Sequence, residues 1–259
     1  DDRRLEANGK LSQTTKSAQG QFMTPAPVAQ FMASLFGMQT IDEVCLLDAG
    51  AGIGSLTAAF VKELCERQTH IRQVAATSYE IDPMLAQYLR HTLEDCAEAC
   101  ERAGIAFTPV VIERDFIEAG TEQLAAPLFN KHPRFTHAIL NPPYKKIHSA
   151  SKHRRQLRSI GVETSNLYTA FLAIAIKLLS PGGELVAITP RSFCNGPYFR
   201  PFRKLLLDEM SLQRVHVFES RTHAFRDDDV LQENIIFHAV KSLPQDDVCL
   251  SSSFTTNFA

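Results

Sequence analysis

The segment Asp48-Ala49-Gly50-Ala51-Gly52-Ile53-Gly54 constrains this chain more than any other. It is entered from the apolar run VCLLDA (44–49) and left through an amphipathic stretch, Leu56 to Arg67. A strand delivered through a tight glycine turn into a helix is the first half of a β-α-β unit, and such units build parallel sheets. The same alternation continues. VAATSYEI (74–81) precedes a helical pattern from Pro83 to Ala103, and PVVIERDF (109–116) precedes a shorter one near 121–129. THAIL (136–140) leads, after a long polar segment, to Leu167–Leu179, and GELVAIT (183–189) leads to Phe199–Met210. QRVHVFES (213–220) and ENIIFHAV (233–240) have no helical pattern between them, which predicts an antiparallel hairpin ending a doubly wound α/β sheet.

Composition narrows the class. Hydrophobic residues make up 44% and charged residues 22%, which excludes disordered and fibrous chains. The longest apolar runs, 170–176 and 185–188, fall short of the roughly 20 residues of a membrane span. No basic-then-apolar leader opens the sequence, so the expected location is the cytoplasm, with no membrane partner. A formal net charge of −2 requires that any nucleic acid be met by a local basic patch. The six cysteines include no C-x-x-C pair, and no histidine cluster accompanies Cys96 and Cys100; the expectation is buried reduced thiols and no metal.

The glycine turn is not the dinucleotide one. That fingerprint is G-x-G-x-x-G, whereas here the third glycine arrives one residue early and Asp48 precedes the first. An acid there repels a pyrophosphate and attracts an ammonium group. The expected ligand carries an amine beside a carboxylate, as the methionyl end of S-adenosylmethionine does. Glu80, followed by Ile81, ends the second strand run, where a carboxylate reaches a ribose beyond the carboxyl ends of the strands. Asp115 and Phe116 end the third, placed to receive an adenine amine and pack on its ring.

The fourth strand run enters Asn141-Pro142-Pro143-Tyr144. Two prolines fix φ and remove backbone donors, leaving a rigid turn. The Asn141 side-chain oxygen and the Pro142 carbonyl can each accept from one exocyclic NH2 group, and Tyr144 offers a face for the base that carries it. Such an amine is a weak nucleophile because its lone pair is delocalised. Two acceptors favour a more tetrahedral nitrogen, so positioning and electrostatics carry the chemistry.

With these motifs in order, residues 19–240 resemble an adenine-N6-specific DNA methyltransferase of the class whose cofactor motifs precede the target-recognition region. GQFMTPAPVAQFM (20–32) resembles that family's N-terminal segment, while LLDAGAGIG, YEID, RDF and NPPY match its successive motifs. SNLYTAFLAIAIKLLSPGGELVAITP (165–190) resembles its next helix and strand. The resemblance implies a class I S-adenosylmethionine-dependent methyltransferase: a Rossmann-like, seven-stranded, mostly parallel sheet with an antiparallel last hairpin. It implies that Thr24, Pro25, Asp48, Gly50, Gly52 and Gly54 surround the methionyl group, that Glu80 and Ile81 take the ribose, and that Asp115 and Phe116 take the adenine. Asn141, shared with the cofactor, would act with Pro142, Pro143 and Tyr144 on an adenine flipped out of duplex DNA. Phe225 is the candidate for the base's second face. The implied setting is restriction-modification, with a restriction endonuclease or a specificity domain or subunit as partner. The implied layout is a polar segment (1–19), a catalytic domain (20–240), and a linker or the start of a target-recognition domain (241–259).

Residues 145–165 read as a long loop, and no acid interrupts 145–162. Lys145, Lys146, Lys152, Arg154, Arg155 and Arg158 leave the rim of the catalytic turn there, with His148 and His153 adding donors. The prediction is that the loop binds DNA phosphates and becomes ordered on doing so. The turn does not by itself separate adenine from other planar amines. A protein glutamine amide, as in release factors, and guanine N2 of RNA are the alternatives; the N-terminal segment and the basic loop favour DNA.

Overall fold

The computed structural model describes residues 23–37, 41–67, 70–125, 134–218 and 233–253. Among the described residues helix α1 (Ala26–Ser34) comes first, and the periodicity of the sequence does not predict it. Strand β1 (Glu43–Ala49) leads through the glycine turn into α2 (Ser55–Glu66). Then follow β2 (Gln73–Tyr79), α3 (Pro83–Arg102), β3 (Ala106–Ile112), α4 (Phe116–Ala125) and β4 (Phe135–Leu140). Helices α5 (Lys152–Ser159) and α6 (Leu167–Leu178) precede β5 (Leu179–Pro190). A short 3-10 turn (Arg191–Cys194) and α7 (Arg200–Glu209) lead to β6 (Met210–Phe218), β7 (Asn234–Lys241) and β8 (Cys249–Ser253).

The eight strands form one sheet in the order β3-β2-β1-β4-β5-β7-β6-β8. Strand β7 lies antiparallel between β5 and β6; the other pairings are parallel. This is the class I methyltransferase sheet with one strand more than expected. The addition, β8, falls in 241–259, the region read as a linker. Its Ser251 and Ser253 hydroxyls bond the two ring nitrogens of His216 on β6, at 2.9 and 3.0 Å. The strand is fastened by polar contacts and shows no apolar alternation, so the sequence pattern concealed it.

Alternation along each central strand sends neighbours to opposite layers. Leu46, Ile139, Val186 and Ile236 join one core with Val28 and Met32 of α1 and Phe60 and Leu64 of α2. Leu47, Leu140, Leu185 and Phe237 join the other with Ile117 of α4, Leu172 and Ile176 of α6, and Phe202 of α7. At two helix starts the caps are visible in the sequence. Asp82 Oδ1 accepts from the amides of Met84 and Leu85 ahead of Pro83, and Ser151 Oγ accepts from the amide of Arg154.

No described helix is long and apolar enough to cross a membrane. Cys96 and Cys100 are buried as expected, whereas Cys194 and Cys249 are exposed, because their turn and edge strand lie at the surface.

Helices α4 and α6 touch closely at Gly120, where a Cβ would stand 2.4 Å from Ile174 Cγ2. Gly120→Ala should lower unfolding free energy by about 1–2 kcal/mol, overpacking outweighing the gain in helix propensity. Ile174→Leu, which removes the branch at Cβ, should restore part of the loss in the double variant. Urea denaturation checks this; a stabilised Gly120→Ala would contradict it.

Candidate active site

Between β1 and β4 the strand order reverses, and crossovers on either side leave to opposite layers. Ligands of open α/β sheets bind at such a switch point, beyond the carboxyl ends of the strands. A cavity of about 270 Å³ lies there. Its wall takes Gly50–Ile53 after β1, Tyr79–Ile81 at the end of β2, Arg114–Phe116 after β3, and Asn141 and Pro143 after β4. Met23 and Thr24 close one side; Leu167, Phe171 and His153 close another.

The turn after β1 is held left-handed by its glycines, with φ of 75° at Gly50, 57° at Gly52 and 86° at Gly54. Gly50 and Ala51 both donate amides to the Tyr79 carbonyl at 2.9 Å, and Gly52 donates to Glu80 Oε2 at 2.8 Å. Gly54 is required twice over, because a Cβ there would come within 2.8 Å of Leu89 Cδ1. At Gly52 a Cβ would meet nothing within 4 Å, so that backbone faces open space.

The three acids differ. Asp48 is 1% exposed beneath the turn and is not on the cavity wall itself. Thr57 Oγ1 donates to its Oδ2 at 2.7 Å, while Oδ1 is buried with no partner. Burial raises this carboxyl to about 7, against the opposing Thr57 bonds. Glu80, also buried, accepts the Gly52 amide on Oε2 and the Asp82 amide (2.8 Å) on Oε1. Its pKa too is raised by burial. Each oxygen keeps a lone pair able to accept from a ligand hydroxyl. Asp115 is not in a strand: β3 stops at Ile112, and Asp115 caps α4, with Oδ1 accepting the Glu118 amide at 3.0 Å. Its Oδ2 lies 3.3 Å from His153 Nε2. Burial acts to raise Asp115, but His153 and the backbone amides more than offset it and hold the carboxyl low. The same bond raises His153. Phe116 opens α4, with its ring 4.9 Å from that of Tyr79 and 5.0 Å from that of Phe171. Ile81 is 54% exposed on the cavity wall, an apolar surface open to a flat ligand.

The Asn141–Tyr144 turn closes the site. Asn141 Nδ2 donates to Thr24 Oγ1 at 3.0 Å, and Tyr144 Oη donates to Asn141 Oδ1 at 3.1 Å. Thr24 is buried, so the segment before α1 fixes the amide with its oxygen turned away from Thr24. Pro25, next to Thr24, serves as the N-cap residue of α1. Pro142 is buried, and Pro143 packs toward Gly50. The Tyr144 ring meets Tyr168 at 6.2 Å and 82°, and burial drives its hydroxyl far above the usual phenol range.

The basic segment departs from expectation. It is not an irregular loop: α5 forms within it, and its cations are largely engaged within the protein. Arg154 is buried and paired with Glu163, which also binds Arg158 at 3.0 Å. Lys152 pairs with Glu118 at 2.7 Å. Glu163 is the first acid after the run, and five and nine residues separate it from the two arginines, the signal that an acid-free window missed. Lys145, Lys146 and Arg155 remain exposed, and Lys145 lines the cavity. Phe225 lies outside the described residues. Arg114 of the RDF motif, Met23 of the 20–32 segment, and Leu167 and Phe171 of the 165–190 segment complete the wall, although the sequence assigns none of them a role.

Comparison with known proteins places this geometry. Residues 64–225 match the model of the Eco57I restriction-modification methylase family. The chain belongs to that family. It is 48% identical over 242 residues to the Type II methyltransferase M.PstI of Providencia stuartii, covering 93% of this chain and 47% of that protein. Identity is also 48%, over 262 residues, to M.BsuBI of Bacillus subtilis, covering 100% of this chain and 50% of that one. The chain thus spans about half the length of these relatives. Among solved structures, a Listeria monocytogenes protein assigned to the class I S-adenosylmethionine-dependent methyltransferases superposes with a TM-score of 0.71 at 16% identity. That match covers 98% of this chain and 71% of the other.

The buried Asp48 oxygen without a partner and the open space over Gly52 fit the ammonium-bearing end of such a cofactor. In the ligand-free protein, Asp48 binds its proton more tightly folded than unfolded. Its contribution to stability is therefore full below the ordinary carboxylate pKa near 4 and is lost as pH rises through about 7. Asp48→Asn should melt higher than the parent at pH 8, by the equivalent of about 2–4 kcal/mol. The gap should shrink toward zero near pH 4. A difference independent of pH would contradict the assignment.

Proposed function

We propose that the protein transfers a methyl group from S-adenosylmethionine to the N6 amine of an adenine flipped out of duplex DNA, as the modification activity of a restriction-modification system. The observation that carries this reading is the Thr24–Asn141–Tyr144 chain of hydrogen bonds at the mouth of the glycine-turn cavity. It fixes an amide oxygen and an aromatic ring beside the place where a methyl donor fits.

The cofactor, when bound, supplies an activated methyl on a sulfonium. Asp48 and the turn Gly50–Gly54 would hold its ammonium and carboxylate, Glu80 its ribose hydroxyls, and Ile81 and Phe116 the faces of its adenine, with Asp115 accepting the ring's amine. Asn141 Oδ1 and the Pro142 carbonyl would accept the two hydrogens of the target amine. Accepting both leaves the nitrogen lone pair less delocalised and directed into the cavity, with no base of matched pKa needed before attack. Tyr144 would stack on the flipped base and offset part of the few kcal/mol that extrusion costs.

Methyl transfer from labelled S-adenosylmethionine to unmethylated mixed-sequence duplex, followed by digestion to nucleosides, tests the reading. Label should appear in N6-methyladenine, and Asn141→Ala should lower it about 100-fold or more. Label in another base, or only on added release-factor peptides, would replace the reading with one of the other planar amines.

The exposed cations define the DNA side. Replacing Lys146 and Arg155 by Ala should weaken binding to every duplex and reduce the slope of log K against log salt by about 1–2. Arg154→Ala should instead lower stability, by breaking the buried pair with Glu163, and leave the slope unchanged. Equal salt slopes for all three proteins would place the DNA elsewhere.

A further inference from the structure

A second element, joined to the segment that follows the Asn141–Tyr144 turn, carries no role in the reading above. The loop from Cys194 to Phe199 is built rather than loose. Arg203 on α7 donates to the carbonyls of Phe193 (2.9 Å), Asn195 (3.2 Å) and Gly196 (2.6 Å), binding the loop from beneath. Within it Tyr198 is 59% exposed. One edge of its ring is supported by Phe199 at 5.1 Å and 87°. Phe199 in turn packs on Tyr168 at 5.8 Å, and Tyr168 on Tyr144. The Tyr198 hydroxyl is bonded to Ser165.

Ser165 ties this loop to the catalytic turn. Its carbonyl accepts the amide of Ile147 at 2.7 Å, three residues beyond Tyr144, and the Lys145 carbonyl accepts the amide of Leu167 at 2.8 Å. The Lys146 and Asn166 backbones bridge between those two bonds. The tip of the 194–199 loop and the exit from the catalytic turn are therefore one rigid rim. Of the cations beside it, Arg191 pairs with Glu233 at 3.5 Å, Lys204 pairs with Asp208 at 2.7 Å and Arg203 is spent on the loop carbonyls, which leaves exposed Arg200, with Lys145 and Lys146 adjoining through Ser165 and Asn166, to give the rim its positive charge. An exposed aromatic held rigidly among cations is how proteins meet a polyanion that also presents flat bases, since stacking and phosphate attraction act on the same strand.

We propose that Tyr198 is a second DNA-contacting aromatic, stacking against a nucleotide next to the one offered to Tyr144. This rests on the reading of the protein as a DNA methyltransferase and adds a residue and a surface to it. The bond to Ser165 sets the ring's angle, while the ring supplies the contact. Tyr198 touches neither the cavity wall nor its ligand groups, so its effect falls on DNA and not on the cofactor.

The experiment compares Tyr198→Ala, Tyr198→Phe and Ser165→Ala in the full-length protein. Each is assayed for binding to unmethylated mixed-sequence duplex, for methyl transfer to it from labelled S-adenosylmethionine, and for cofactor affinity. Tyr198→Ala should weaken DNA binding and raise KM for DNA about tenfold, with cofactor affinity and salt slope unchanged, because a stacking surface is lost and no charge is removed. Tyr198→Phe should stay within about twofold of the parent. A parent that is active on DNA with Tyr198→Ala equal to it would overturn the proposal alone. So would Tyr198→Phe and Ser165→Ala falling as far as Tyr198→Ala, which would show that the bond matters and the ring does not. If Tyr198→Ala changed only self-association in sedimentation, the rim would be a protein interface. A parent that never labels DNA would overturn the proposed function, and this inference with it.

Discussion

Two amides on one carbonyl organise the site. Gly50 and Ala51 both donate to Tyr79, which pulls the turn after β1 across the end of β2 and holds it there. Only glycines tolerate the resulting backbone at 50, 52 and 54, and at 54 the packing of Leu89 leaves no room for a side chain. Because the turn is bent toward β2, a gap opens above it toward β4, where the strand order reverses. The Asn141–Tyr144 turn enters from the far side of that gap. Were the glycine turn to relax, Glu80 would lose the amide that locks it, and the cavity would lose its floor.

The second constraint comes from far away in sequence. Asn141 could present either end of its amide to the cavity, and only the oxygen suits an amine. Thr24 Oγ1, in the segment entering α1, bonds the nitrogen while Tyr144 Oη bonds the oxygen, so the amide is held at both ends. That segment is itself positioned by α1, whose Val28 and Met32 are buried against the sheet. At the other end of the helix, Glu184 accepts the Gly37 amide at 2.9 Å and bonds His238 at 2.8 Å. A helix without any catalytic group thus determines the orientation of the residue on which the proposed chemistry depends.

Much of this was legible because backbone geometry and apolar alternation are local. The parallel strands, the hairpin, the glycine turn and the Pro-Pro turn each follow from residues adjacent in sequence, and all are present. What escaped was set by partners distant in sequence or by polar pairing. Helix α5 was read as a loop because its cations look solvated until Glu163 is seen to gather Arg154 and Arg158. Asp115 was read as the end of a strand, but it caps a helix that starts five residues earlier than the periodicity indicated. Strand β8 has serines where an edge strand usually shows alternation, and only the imidazole of His216 explains them. Met23, Leu167 and Phe171 lie inside the motif segments, but nothing in their residue type marks them as cavity wall, since any hydrophobic side chain of suitable size could fill those places.

The distribution of charge joins the two halves of the proposed reaction. A net charge of −2 does not preclude a local basic surface, because the fully buried acids and the exposed cations occupy different places. Asp48 lies buried beneath the turn, and Glu80 and Asp115 stand on the cavity wall. Lys146, Arg155 and Arg200 are exposed outside it, while Arg114 and Lys145 line the cavity itself. A low-dielectric cleft concentrates the field of the groups nearest to it. In the proposed reaction the interior acids would act on a small cation within a few ångströms, while outside the cavity their influence would be screened and the exposed cations would dominate. That division would let a nearly neutral chain hold a sulfonium and a polyanion at adjoining places.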